Sequence, residues 1–121
     1  MKYENFIWQD KKRPIFGLPI SFTTYTLLEN KLIIDSGILA THQEEIKLYR
    51  ILDFNVERKL FQRLFNVGDI LIRSGDASMP KCVLKDVKNP FDVKEIISKK
   101  VEEERNQKRV RTGEYFDADD I

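Results

Sequence analysis

Residues 51–72, ILDFNVERKLFQRLFNVGDILI, change their hydrophobic period and then change it back, and few folds accommodate that. In 51–57, Leu52, Phe54 and Val56 fall on one face of a strand, with Asp53, Asn55 and Glu57 on the other. A slip of one residue would bury the polar set, so the inward face is strongly specified. Beyond Lys59, the residues Leu60, Phe61, Leu64 and Phe65 line one side of a helical turn, with Gln62 and Arg63 facing away. Val67-Gly68-Asp69 then turns the chain into a further strand at 70–72, Gly68 supplying a backbone conformation that a Cβ would penalise. A helical turn between two strands suits the cover of an open end or seam in a curved antiparallel sheet.

The flanking sequence supplies more strands. ISFTTYTLL (20–28) and KLIID (31–35) are parted by Glu29-Asn30, where an Asn at positive φ would allow a tight hairpin. Asp35-Ser36-Gly37 reads as the next turn, and 38–50 as a half-buried strand with Ile46 and Leu48 on its inner face. RSGDASMPK (73–81) is a polar loop, and KCVLKD (81–86) a last short strand.

Asn89-Pro90 marks a helix start, with Asn as N-cap, Pro in the first position and Asp92 near the positive end of the dipole. Phe91, Val93, Ile96, Ile97 and Val101 form its packing face, so the helix is expected near 90–105, docked as far as Val101. The chain thus divides into an N-terminal segment (1–19), a domain (20–105) and a charged, flexible tail (106–121). Across the start of that tail a basic patch, Arg105, Lys108, Arg109 and Arg111, precedes acidic residues Glu114, Asp117, Asp119 and Asp120.

Composition removes several function classes. The 121 residues suit one core, and 21 basic against 20 acidic side chains leave no global charge to select a nucleic acid or a membrane. No apolar run approaches the ~18 residues that cross a bilayer, and the N-terminus lacks the charge order of a secretory signal, so a cytoplasmic location is expected. One cysteine, Cys82, excludes an internal disulfide, and one histidine, His42, leaves zinc patterns without ligands; no metal or cofactor is expected.

Antiparallel strands closed by one C-terminal helix are the order of a pleckstrin-homology-like (PH-like) fold, and particular residues sharpen the match. Thr26, Lys31, Gly37, the junction Glu45-Ile46-Lys47-Leu48-Tyr49-Arg50-Ile51, Asp53, the turn Leu60-Phe61-Gln62-Arg63-Leu64-Phe65, and Val67-Gly68-Asp69 resemble the pattern of the bacterial PH domain family over about 20–101. Asn66 stands where that family often has glycine, and Asn is the next best residue at positive φ. The resemblance implies a mainly β chain, a bent antiparallel barrel or sandwich of about seven strands capped by an α-helix. It also implies a non-catalytic module that binds a protein or assembles with itself. Many family members sit beside transmembrane helices, so a membrane role here would be peripheral, at the inner face.

Two groups of residues are candidates for function. Lys11, Lys12 and Arg13, helped by Lys31 or Arg73, would contact anionic lipid headgroups, each charge contributing on the order of 1 kcal/mol near the surface. Arg50, Asp53 and Arg63 read either as a ligand cluster or, better, as bonds pinning the helical turn to the sheet, with Gln62, Gly68 and Asp69 completing the motif. His42 reads as a surface residue and Cys82 as a small apolar one, so no catalytic residue is expected.

Overall fold

The computed structural model describes residues 5–14, 18, 21–37 and 40–120, with side chains as far as 109. Strands β1 (Trp8–Lys11), β2 (Thr24–Leu27), β3 (Lys31–Ser36) and β4 (His42–Lys47) form one antiparallel sheet in chain order. A second antiparallel sheet holds β5 (Ile51–Glu57), β6 (Val67–Ser74) and β7 (Lys81–Lys88). A 3₁₀ turn, Leu48–Arg50, carries the chain between the sheets, α1 (Leu60–Leu64) joins β5 to β6, and α2 (Pro90–Asp120) follows β7. The expected mainly β, PH-like architecture is present among the described residues as seven strands and a C-terminal helix, arranged as a sandwich of two sheets rather than one closed barrel.

The core lies between the sheets and under α2. Leu27, Leu32, Ile34, Ile46 and Leu48 meet Ile51, Ile70, Ile72, Leu84 and Val87, and α2 adds Val93, Ile97 and Val101. Those three helix positions recur every fourth residue and form one stripe, and each buried aliphatic side chain contributes about 1.5–3 kcal/mol. One side of the sandwich is drawn together where the Arg13 N–H donates to the Asp86 carbonyl at 2.8 Å.

Several local expectations are corrected. Strand β1 lies within the segment read as an N-terminal lead; it pairs with β2, and Trp8 stacks on Tyr25 with centroids 6.5 Å apart. The strand read across 38–50 ends at Lys47, because Leu48 enters the 3₁₀ turn, although Ile46 and Leu48 are both buried as expected. Leu52 is half exposed, because the β5–β6 register shifts between Ile51 and Asp53 and ejects it from the inward row. The hairpin at Glu29-Asn30 forms, with the Leu28 N–H on the Lys31 carbonyl at 2.9 Å, but Asn30 is not among the residues at positive φ.

At the other turns, Asn66 does adopt φ 54°. Gly68 is needed for space rather than for its φ, since an added Cβ would lie 2.8 Å from both Arg58 Cγ and Pro90 Cγ. β6 begins already at Val67, ahead of the expected 70–72.

Helix α2 starts at Pro90 as expected, with the Val93 N–H on the Asn89 carbonyl at 3.0 Å, but the Asn89 side chain is engaged by the Asn66 amide. Phe91 and Ile96 point outward, leaving Val93, Ile97 and Val101 to pack. The helix also keeps contact with the sandwich past Val101. Arg105 donates to the Ile51 carbonyl, and the Lys108 ammonium sits 4.3 Å from the centre of the Tyr49 ring. The region expected as a tail from 106 is helical as far as Asp120.

Candidate functional site

Alternation along the second sheet sends Ile70, Ile72, Cys82 and Leu84 inward, and Leu71, Arg73, Lys81, Val83 and Lys85 to the outer face. The register stacks them in rows: Asn55 beside Leu71 beside Val83, and Asp53 beside Arg73 beside Lys81. Leu71 is half-buried and Val83 is 41% exposed, so an apolar strip continues from Asn55 and runs beside the polar Asp53–Arg73–Lys81 row. The strip floors a shallow groove of about 260 Å³ bounded by Asp53, Asn55, Arg73 and Lys81. β5, at the rim, is an edge strand.

The Arg73 guanidinium grips Asp53 through Nη2 at 2.6 Å and Nε at 3.1 Å, both to Oδ2. This hydrogen bonding holds the Asp53 carboxyl below its ordinary range. Both side chains are exposed, so the pair orders the groove's wall more than it stabilises the fold.

The residues expected to meet lipid are dispersed and mostly paired. Arg13 bonds Asp10 at 3.2 Å, Lys31 lies 3.6 Å from Glu45, and Arg73 is held by Asp53. Lys11 is exposed on β1, and Lys12 lines a separate groove of about 280 Å³ with Glu44, Lys81 and Lys85.

Nor do Arg50, Asp53 and Arg63 share a site. Arg50 donates to the Tyr49 hydroxyl at 3.3 Å and lies over that ring, Asp53 turns to Arg73, and Arg63 is exposed on α1. The Arg50 hydrogen bond lowers the Tyr49 pKa. Gln62 pins the helical turn to the sheet: its amide reaches the carboxylates of Asp69 and Asp86, each at 2.9 Å.

His42 is exposed, 3.8 Å from Glu44. Cys82 is buried, and burial pushes its thiol up to about 11, with the Glu44 charge adding to the effect. Among the described residues no cluster of His, Cys, Asp and Glu gathers to hold a metal ion.

Sequence reasoning missed the face of α1. Leu60, Phe61 and Leu64, expected to cover the sheet, are 78%, 70% and 74% exposed, while Gln62 faces inward. The available signal was the pair of strand carboxylates, Asp69 and Asp86, which need a donor such as Gln62. The outer strip was missed too, because Leu71 and Val83 belong to different strands and only their register sets them side by side.

A family model described as bacterial PH domain matches residues 17–101. Neither a curated protein nor a solved structure matches the chain.

Proposed function

The chain belongs to the bacterial PH domain family, and from that membership we propose that it is a non-catalytic recognition module whose ligand is a protein, a partner or a second copy. The observation that carries this reading is the outer face of the second sheet, where the Leu71–Val83 strip lies alongside the charged row of Asp53, Arg73 and Lys81. An apolar centre with a rim of both charge signs is the anatomy of a protein interface. β5, the edge strand beside it, offers backbone groups for an added strand beyond Ile51, whose carbonyl Arg105 already holds. The ion pairs that engage Arg13, Lys31 and Arg73 weigh against a lipid surface at those residues.

The test places a photo-crosslinking amino acid at Leu71 in cells, with the same probe at exposed Glu95 as reference. The expected result is a discrete adduct from position 71 that Val83→Glu abolishes without unfolding the protein. No adduct at 71, or an adduct indifferent to Val83→Glu, overturns the reading. The adduct's mass and light scattering of the purified chain separate a second copy from another partner.

A further inference from the structure

Helix α1 is amphipathic in the reverse sense of a core helix. None of its five residues is buried, its inward contact is made by Gln62, and Leu60, Phe61 and Leu64 project into solvent. None of the three joins the core; Phe61 stacks on the half-buried Phe65 with centroids 6.5 Å apart, and the rest of their apolar surface faces outward.

Two properties of the tip select the occupant. The first is size. Three side chains of this kind present on the order of 400 Å², about half of what each partner gives to a standard protein interface. The second is charge. Lys59 precedes Leu60 and Arg63 precedes Leu64; both cations are exposed, and neither joins an ion pair among the described residues. Arg58, next in the chain, folds back over the Phe91 ring at 5.7 Å and stays with the protein. The carboxylates beneath the turn, Asp69 and Asp86, are held by Gln62 on the opposite side. Exposed acids at this end are Glu57 and Asp92, at the close of β5 and the start of α2.

We propose that α1 is an interfacial membrane tip: Leu60, Phe61 and Leu64 enter the acyl boundary of a bilayer, while Lys59 and Arg63 meet its anionic headgroups. No helix among the described residues is long and apolar enough to cross a membrane, so this contact lies in the plane of the interface. The tip is distinct from the outer sheet face and does not depend on that face binding a protein.

The test is co-sedimentation of the whole chain with vesicles of phosphatidylcholine alone or mixed with phosphatidylglycerol, at low and high salt. Sedimentation is expected with the anionic vesicles and weakens with salt. Lys59→Gln with Arg63→Gln lowers the affinity roughly 30-fold, from about 1 kcal/mol per charge. The triple variant Leu60→Ser, Phe61→Ser, Leu64→Ser loses binding at either salt, and it keeps its fold because none of these side chains is buried. Lipids brominated on the acyl chain quench the emission that Phe61→Trp adds to that of Trp8. Leu71→Glu with Val83→Glu, on the sheet face, leaves sedimentation unchanged. Failure of the wild type to sediment, or a serine variant that binds like the wild type, overturns the proposal. So does a wild-type dimer that the serine variant converts to monomer without any vesicle binding, which would make α1 a protein interface.

Discussion

The side-chain amide of Gln62 donates to the Asp69 carboxylate at 2.9 Å, and this bond turns the polar side of α1 toward the protein. The same nitrogen reaches Asp86 at 2.9 Å, the Gln62 carbonyl accepts the Lys59 N–H, and Asp69 also accepts the Asp86 N–H at 3.0 Å. Asp69 is buried beside the register shift between Gly68 and Ile70. A buried carboxylate without donors costs several kcal/mol, whereas an exposed leucine only forgoes a gain. The turn therefore satisfies the acid and leaves its apolar residues outside.

Removing that amide tests the arrangement. Gln62→Ala should cost about 1–3 kcal/mol in urea unfolding, the usual penalty for stripping donors from a buried acceptor. Gln62→Glu should cost more at neutral pH, because it sets a third carboxylate against Asp69 and Asp86. A Glu variant as stable as the wild type would show that the network does not hold the turn.

Two glycines offer a matched comparison. In Gly68→Ala the new Cβ meets Arg58 Cγ and Pro90 Cγ at 2.8 Å and the Glu57 carbonyl at 3.1 Å, so one strand or the start of α2 must shift. A loss of about 1–3 kcal/mol is expected, as for other overpacked sites. In Gly75→Ala the nearest atom is the Arg50 carbonyl at 3.8 Å, and the change should be neutral or stabilising by up to about 1 kcal/mol. Thermal unfolding of both variants decides the matter.

The Asp53–Arg73 pair predicts a titration rather than a large stability. Hydrogen bonding from Arg73 lowers the folded-state pKa of Asp53, so its small contribution is present above the unfolded carboxylate value and fades as pH falls through the folded one. A carbon-detected NMR titration should find Asp53 below the ordinary range in the wild type and close to it in Arg73→Gln. An unshifted Asp53 in the wild type would mean that the pair is not formed in solution.

At the alkaline end the sign reverses. Burial raises the Tyr25 phenol, whose hydroxyl donates to the Lys85 carbonyl at 3.0 Å and accepts the Lys85 N–H at 2.8 Å, and it pushes the Cys82 thiol up to about 11. Each group lends stability fully present below its unfolded pKa and lost as pH rises through the folded one. The protein should therefore weaken from about pH 9 upward, more steeply beyond about 10. Tyr25→Phe and Cys82→Ala should flatten that decline, and native Cys82 should react with a thiol reagent far more slowly than after unfolding.

The strands at 31–35, 51–57 and 70–72, and the Asn89-Pro90 helix start, were legible because apolar runs, turn residues and, in 51–57, hydrophobic alternation act over a few neighbouring residues. The same holds for the left-handed turn at Asn66, whose short polar side chain tolerates positive φ. The family resemblance was likewise carried by short motifs spaced along the chain, and the family match over 17–101 agrees with it. Three things were decided only by tertiary structure. β1 exists because β2 offers it an edge and Tyr25 offers Trp8 a ring, neither visible in 8–11 alone. The outward strip of Leu71 and Val83 depends on which strands lie side by side, which is a matter of register and not of composition. The orientation of α1 turned on two carboxylates brought together from different strands. A helical period shows that a turn has an apolar side, but where that side points is set by what the rest of the chain places beneath it.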